Sequence, residues 1–310
     1  MKLLFDDDLI EGVVFLCASG KRRSVPPLQI RRYHAERERA YSILEPEARA
    51  AAFVDVNHSW FQEWGIEKWL ADIAARFPML ERSLQVLAFR KARHRAEEGG
   101  ELYVNADHDR HGIVALSPER FAESEWLPAF LHHELMHLSD MVDEAFGYSP
   151  DLSRAGGTAS HLRLIRERYR LLWDVTIDGR LTQSGRATVA TREQRRAEFE
   201  RGFGFLDARK RASLFESLWT GSSPRHRDLV GIAGDPRELS ETRSQAPGAP
   251  CPLCGFATFD WVDAKTLKAT AVASIRREFA GWRSEEGICH RCSEIYEANV
   301  GLELPATICL

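Results

Sequence analysis

The stretch Pro128-Ala129-Phe130-Leu131-His132-His133-Glu134-Leu135-Met136-His137-Leu138-Ser139-Asp140-Met141-Val142 sets a His-Glu-x-x-His pattern inside an apolar-periodic segment. At about 100° per residue, positions four apart share one helix face, so the imidazoles of His133 and His137 can reach a single ion. Glu134 projects beside them, within reach of a water on that ion. Leu131, Leu135, Leu138 and Val142 form the opposite, core-facing stripe. Pro128 suits a first turn and Gly147 a position just past the end, which predicts a helix over about 128–146. His132 points about 100° away from His133 and reads as structural or solvent-facing.

The segments on either side supply the setting. Leu84–Phe89, Leu102–Val104 and Ile113–Leu116 have strand composition and are separated by turn residues, which predicts a small antiparallel sheet. His108 and His111 fall in its polar hairpin turn. A second long helix is expected over about Thr158–Leu181. Within its apolar stretch Leu172-Trp173-Asp174-Val175-Thr176-Ile177-Asp178, the two aspartates stand four apart and share a face. Buried carboxylates at this spacing call for a compensating cation. Asp140 shares the face of His133 two turns on and is a candidate support for the ligands. His161 is a rival third ligand, and Tyr148 and Tyr169 are candidate oxyanion partners set against an ordinary core role. Residues 1 to about 80 read as helical, with an apolar stripe from Trp60 to Phe77 that Pro78 ends. Between Arg180 and Arg211 nine basic residues stand against four acidic ones, a pattern read as a solvated helix face, with a nucleic-acid or acidic-partner surface as the alternative.

Cys251-Pro252-Leu253-Cys254 and Cys289-His290-Arg291-Cys292 form a second motif. Thiolates at this spacing bind one tetrahedral zinc ion, and four of them close the site, so the ion is expected to be structural. The 34-residue gap can hold a short strand, Phe259–Trp261, and a helix, Lys265–Phe279. His290 is surplus to four thiolates, and Cys17 and Cys309 read as ordinary thiols.

The 310 residues carry a formal net charge of −4, are 44% hydrophobic and 28% charged, and so can build a core. Global disorder is excluded. No apolar run approaches the length of about 20 residues that a membrane helix needs, so no membrane partner is expected. The opening Met1–Phe5 resembles a secretory leader, but Asp6, Asp7 and Asp8 interrupt it, and the expected location is cytoplasmic. A nucleic-acid partner finds no support in the net charge.

On His133, Glu134 and His137, following a small sheet, the chain resembles the zincin metallopeptidases over roughly residues 83–182. The resemblance implies His133 and His137 as zinc ligands, Glu134 as general base on a zinc-bound water, and the strand Gly112–Ser117 as the substrate-lining edge, able to take a peptide as an added strand. The metzincin branch, whose last ligand falls at Asp143, is set aside, because Asp140 stands where its chain-breaking glycine belongs and no methionine follows Met141. Two other resemblances bear on the third ligand. The gluzincin branch implies Asp174 as ligand and Asp178 as the group orienting His133. The stretch from Trp173 to Asp178 is similar to a Trp-Asn-x-x-x-Asp segment of some bacterial proteins read as metallopeptidases, which implies Asp178, and the reading leans that way. The domain order, with a four-cysteine module last, resembles the SprT-like group.

The expected fold class is α+β. It comprises an N-terminal helical layer (1–80), a zincin-like domain (81–240) with a small sheet, the His-Glu-x-x-His helix and a second ligand-bearing helix, and a four-cysteine zinc-ribbon or treble-clef-like module (246–310). The expected activity is zinc-dependent hydrolysis of a peptide or protein substrate, with one catalytic and one structural Zn2+. The alternatives are a non-catalytic module recognising nucleic acid or protein, and a zinc hydrolase of a non-peptide amide.

Overall fold

A computed structural model describes residues 1–20, 25–122, 125–150, 159–204, 206, 208–221, 224–234 and 247–298, with the backbone alone at 159–161. Among these residues the chain is α+β, with twelve α-helices and three small sheets. It divides into two compact units, the first made of residues 1–154, 172–195 and 217–229.

The first unit opens with β1 (Lys2–Phe5), followed by helices α1 (Asp7–Ala18), α2 (Pro27–Tyr41), α3 (Pro46–Glu63), α4 (Ile66–Ala74) and α5 (Pro78–Ser83). Pro27, Pro46 and Pro78 each begin a helix, where the missing N–H costs nothing and the fixed φ suits the first turn. Asp6 caps α1 by accepting from the Asp8 N–H at 3.2 Å, and its other oxygen accepts from the Lys91 N–H at 3.0 Å. One carboxylate thus closes α1 and ties it to the end of a strand.

Strands β2 (Val86–Lys91), β3 (Gly99–Val104) and β4 (Arg110–Leu116) precede α6 (Trp126–Val142). The sheet order is β1-β2-β4-β3. The antiparallel expectation is corrected here: β1 and β4 both run parallel to β2, and only the β3–β4 pair is antiparallel. Five helices connect β1 to β2, a crossover long enough for parallel pairing. The β3–β4 connection is a tight hairpin, in which Asn105 Oδ1 accepts from the N–H groups of Asp107 and Asp109. Helix α6 stops at Val142, short of the predicted 146, where Asp143 turns extended and accepts from the Ala145 N–H.

Leu9, Val13, Leu70, Leu87, Val114, Leu131 and Leu135 are fully buried, so α1, α4, the sheet and α6 share one apolar core. Each such side chain contributes about 1.5–3 kcal/mol on burial. This core fixes one side of α6 and leaves its His133 side to face α7 (Ala159–Gln183), whose residues from Leu172 onward belong to this unit.

Gly179 of α7 lies against the last turn of α9 (Ala208–Thr220): a Cβ there would stand 2.2 Å from the Trp219 carbonyl oxygen. Backbone, unlike a side chain, cannot swing aside. Gly179→Ala is expected to lower stability by about 1–3 kcal/mol, the range for overpacking. A denaturant midpoint unchanged from wild type would show that the two helices separate freely.

The second unit comprises residues 155–171, 196–216 and 230–310. Here Phe199 of α8 (Arg192–Gly202) stacks on Phe203 at 4.6 Å and meets Phe215 of α9 at 5.6 Å. After α10 (His226–Gly234) comes the C-terminal module: β5 (Ala249–Pro250), β6 (Ala257–Thr258), β7 (Trp261–Val262), α11 (Ala269–Glu278), β8 (Ile288–Cys289) and α12 (His290–Ala298). Strands β5–β6 and β7–β8 pair as two short antiparallel ladders. Among the described residues no helix is long and apolar enough to cross a membrane.

Candidate metal centres

Helix α6 presents His133 and His137 on one face, and α7 presents Asp174 and Asp178 opposite them. His137 Nε2 lies 3.2 Å from His133 Nε2 and 3.1 Å from Asp174 Oδ1, and His133 Nε2 lies 3.4 Å from that same oxygen. Three donor atoms each about 2.0–2.1 Å from a tetrahedral centre stand about 3.3–3.4 Å apart, so this triangle fits one small divalent ion.

The two aspartates are not equivalent. Asp178 Oδ1 lies 2.9 Å from Nδ1 of His133, behind the ring, and takes no part in the triangle. This fixes which nitrogen of His133 faces the centre. Asp178 Oδ2 accepts from Arg195 Nε at 2.6 Å, and Arg195 Nη1 lies 3.5 Å from Asp174 Oδ2. Arg195 reaches them because a reciprocal cap starts α8: Thr191 Oγ1 accepts from the Gln194 N–H while Gln194 Oε1 accepts from the Thr191 N–H.

All of these groups are buried, and their charges do not balance. Among the described residues one arginine is at ion-pair distance from the two aspartates, which leaves them one positive charge short beside two imidazoles. Burial disfavours a charged His133, yet its bonds to Asp174 and Asp178 outweigh this and raise its pKa to about 9. Burial likewise disfavours the charged Asp174, but His133 and His137 hold its carboxyl far below the usual range. The pocket recruits positive charge, and a metal ion is one source of it.

Glu134 lies about 100° around α6 from His133, on the adjoining face, and its Oε2 accepts from the Gly100 N–H of β3 at 2.8 Å. A Cβ at Gly100 would stand 3.1 Å from the Glu134 carbonyl oxygen and 3.3 Å from Leu138 Cγ, so glycine permits this close approach of strand to helix. The assignment of Gly112–Ser117 as the edge strand is corrected by the sheet order: β4 pairs with β2 on one side and β3 on the other, and β3 is the terminal strand. Because the Gly100 N–H is given to Glu134 and not to β4, the backbone groups of Gly100, Leu102 and Val104 face the free edge.

Other residues singled out in the sequence fall elsewhere. Asp140 accepts from Trp173 Nε1 and from both terminal nitrogens of Arg180. The solvent-facing option for His132 is corrected: it is buried against Phe77 with Arg76 at 3.4 Å, and burial, then Arg186 and Arg76, depress its pKa to about 4. Asp143 caps the end of α6. Half-buried Tyr148 lies beside Trp173 and His226, and burial raises its pKa, whereas Tyr169 is buried. His108 takes the left-handed φ of 64° in the hairpin, whereas His111 lies within β4, paired with Tyr103, which corrects its placement in the turn. The side chain of His161 lies outside the described residues. Arg180 and Arg195 are both drawn to buried aspartates, which corrects the reading of their whole stretch as a solvated face. Arg195 was legible only indirectly, since it precedes Phe199 by one helical turn and so sits on the apolar face of α8.

The four cysteines form the second cluster. Cys251 Sγ lies 3.9 Å from Cys292 Sγ, and Cys254 Sγ lies 3.8 Å from Cys289 Sγ. A disulfide would bring sulfurs to about 2.05 Å. Sulfurs about 2.3 Å from a tetrahedral ion stand about 3.8 Å apart, so the quartet fits a metal. Burial raises the pKa of Cys251, but backbone N–H groups of Cys254, Cys289 and Leu253 outweigh it and bring the thiol down to about 7. His290 stands apart, 3.3 Å from Glu294 on the exposed side of α12. Cys17 is buried in the apolar core of the first unit, and Cys309 lies outside the described residues.

No protein-family model, curated protein or solved structure matches this chain.

Proposed function

We propose that the chain is a zinc-dependent peptidase of the zincin type, with zinc held by His133, His137 and Asp174. The observation that carries this reading is the convergence of two imidazoles and one carboxylate at tetrahedral spacing, with Glu134 one residue from His133 on the adjoining face. It moves the preference from Asp178 to Asp174 as third ligand and leaves Asp178 to orient His133. A zinc ion in this cradle supplies Lewis acidity, polarising a substrate carbonyl and lowering the pKa of water toward about 7.

The chain's own groups supply the rest. The free edge of β3 offers N–H and C=O groups to an extended peptide. That edge ends at Gly100, whose N–H already touches the Glu134 carboxylate, so a peptide lying along β3 brings its backbone to the base. Glu134 takes a proton from the attacking water and returns it to the leaving amine. The four-cysteine cluster holds a structural zinc. The nucleic-acid reading gains nothing from that module, since residues 247–298 carry six basic against seven acidic side chains.

The test is metal content combined with cleavage of a peptide library by the same preparation. Two zinc ions per chain and peptide products are expected, while a fully loaded protein that cleaves neither peptides nor small amides would overturn the reading. The aspartates give a sharper comparison. Asp174→Ala is expected to lose the ion at the histidine site outright. Asp178→Ala is expected to bind it about 10- to 100-fold more weakly, the usual cost of losing a ligand's hydrogen-bond partner. Competition against a chromophoric chelator measures both, and the opposite order would return Asp178 to the ligand position.

A further inference from the structure

We infer that Trp173 is the positioning residue for His137, held in place by Asp140 and Arg180. The inference rests on the metal-centre reading above and extends it to how the second imidazole is fixed.

The two histidines are supported differently. His133 has the Asp178 carboxylate at its Nδ1. A metal-binding histidine almost always has such a partner on its second nitrogen. His137 has none: among the described residues its contacts at hydrogen-bond distance all fall on Nε2, the nitrogen that faces the centre. What meets its ring is Trp173, perpendicular to it at 82° with centroids 4.4 Å apart. This approach is close for an aromatic pair, so rotation of the imidazole drives it into the indole.

A wall works only if it is itself fixed, and Trp173 is fixed on two sides. Phe146 stacks on it at 5.1 Å and 21°. Its Nε1 donates to Asp140 Oδ2 at 2.7 Å, and Asp140 in turn accepts from Arg180 Nη1 at 2.8 Å and Nη2 at 2.5 Å. Asp140 follows His137 by three residues on α6, while Trp173 and Arg180 stand seven apart on α7 and share its face. The lock therefore joins the two ligand-bearing helices within one turn of His137. It also explains why a buried Asp140, pointing along the ligand face, stays out of the metal triangle: both its oxygens are engaged.

The test uses the full chain with zinc alone, and with cobalt at the histidine site while zinc fills the cysteine cluster. Trp173→Leu removes the wall, Trp173→Phe keeps an aromatic wall but drops the lock, and Asp140→Asn and Arg180→Gln loosen the lock from outside. Trp173→Leu is expected to weaken zinc at the histidine site by about 10- to 100-fold and to alter the visible spectrum of cobalt there, with the cysteine cluster unchanged. Trp173→Phe is expected to fall between wild type and Trp173→Leu in affinity, because it keeps the wall and loses the lock. A folded Trp173→Leu protein with wild-type affinity and spectrum would overturn the inference. Should that variant fail to fold, wild-type affinity and spectrum in both Asp140→Asn and Arg180→Gln would overturn it equally. A wild-type chain that binds metal only at its cysteines would instead refute the metal-centre reading, and this inference with it.

Discussion

Glu134→Gln is expected to keep its metal and its fold while losing about 10²- to 10⁴-fold in hydrolytic rate, the usual contribution of a general base. The substitution preserves size, and the amide oxygen can still accept from the Gly100 N–H, so the approach of β3 to α6 is retained. The metal triangle draws on His133, His137 and Asp174 and does not include this side chain. Only the capacity to take up a proton is removed. Metal content and peptide cleavage measured on one preparation separate loss of the base from loss of the ion. A Glu134→Gln protein that retains metal and cleaves at the wild-type rate would show that the base lies elsewhere.

The parts of this site that were legible in the sequence are those whose geometry is local. His133, Glu134 and His137 lie on one helix, and helical spacing alone places them. Asp174 and Asp178 are likewise a four-residue pair, and two carboxylates in an apolar stretch announce a partner. Which of the two faces His133 Nε2 and His137 Nε2 depends on the axial offset between α6 and α7, and no spacing within one helix encodes that offset. The cysteine pairs are readable because x-x spacing is itself a structural unit.

The sheet shows the converse. Three of its strands were visible by composition, but their order and direction were not, because pairing is a non-local choice. The four residues of β1 were too few to stand out, and their apolar start resembled a leader. Without β1 the three later strands suggest a plain antiparallel sheet, with the last strand at the edge. In the structure β4 returns between β2 and β3, which leaves β3, and with it Gly100, at the free edge beside Glu134.

Replacing Cys251 and Cys254 together with serine is expected to remove one of two metal ions and to unfold the C-terminal module, leaving hydrolysis at the histidine site in place. The module's strands are two residues long. Its buried apolar cluster is Cys251, Ala264, Leu267, Ile275, Trp282, Ile288, Cys289 and Cys292, so three of eight members are the candidate ligands themselves. Five other buried side chains, with Leu253, Val262, Val272, Phe279 and Tyr296 partly buried against them, cannot offset the ordering of some fifty residues, at about 1–2 kcal/mol of backbone entropy each. Structural zinc contributes about 10–16 kcal/mol of apparent binding free energy in small metal-dependent folds, which is comparable to the whole stability of a domain. Serine hydroxyls keep the shape but are not thiolates, and the remaining pair, Cys289 and Cys292, is half a tetrahedral site. Trp282, 6% exposed and donating its indole N–H to the Gly287 carbonyl, provides the local readout. Its environment should become aqueous, and amide exchange across α11 and α12 should accelerate, while α6 and the sheet stay protected. A doubly substituted chain that loses one ion yet keeps the exchange protection of α12 would show that the module stands on its apolar contacts alone.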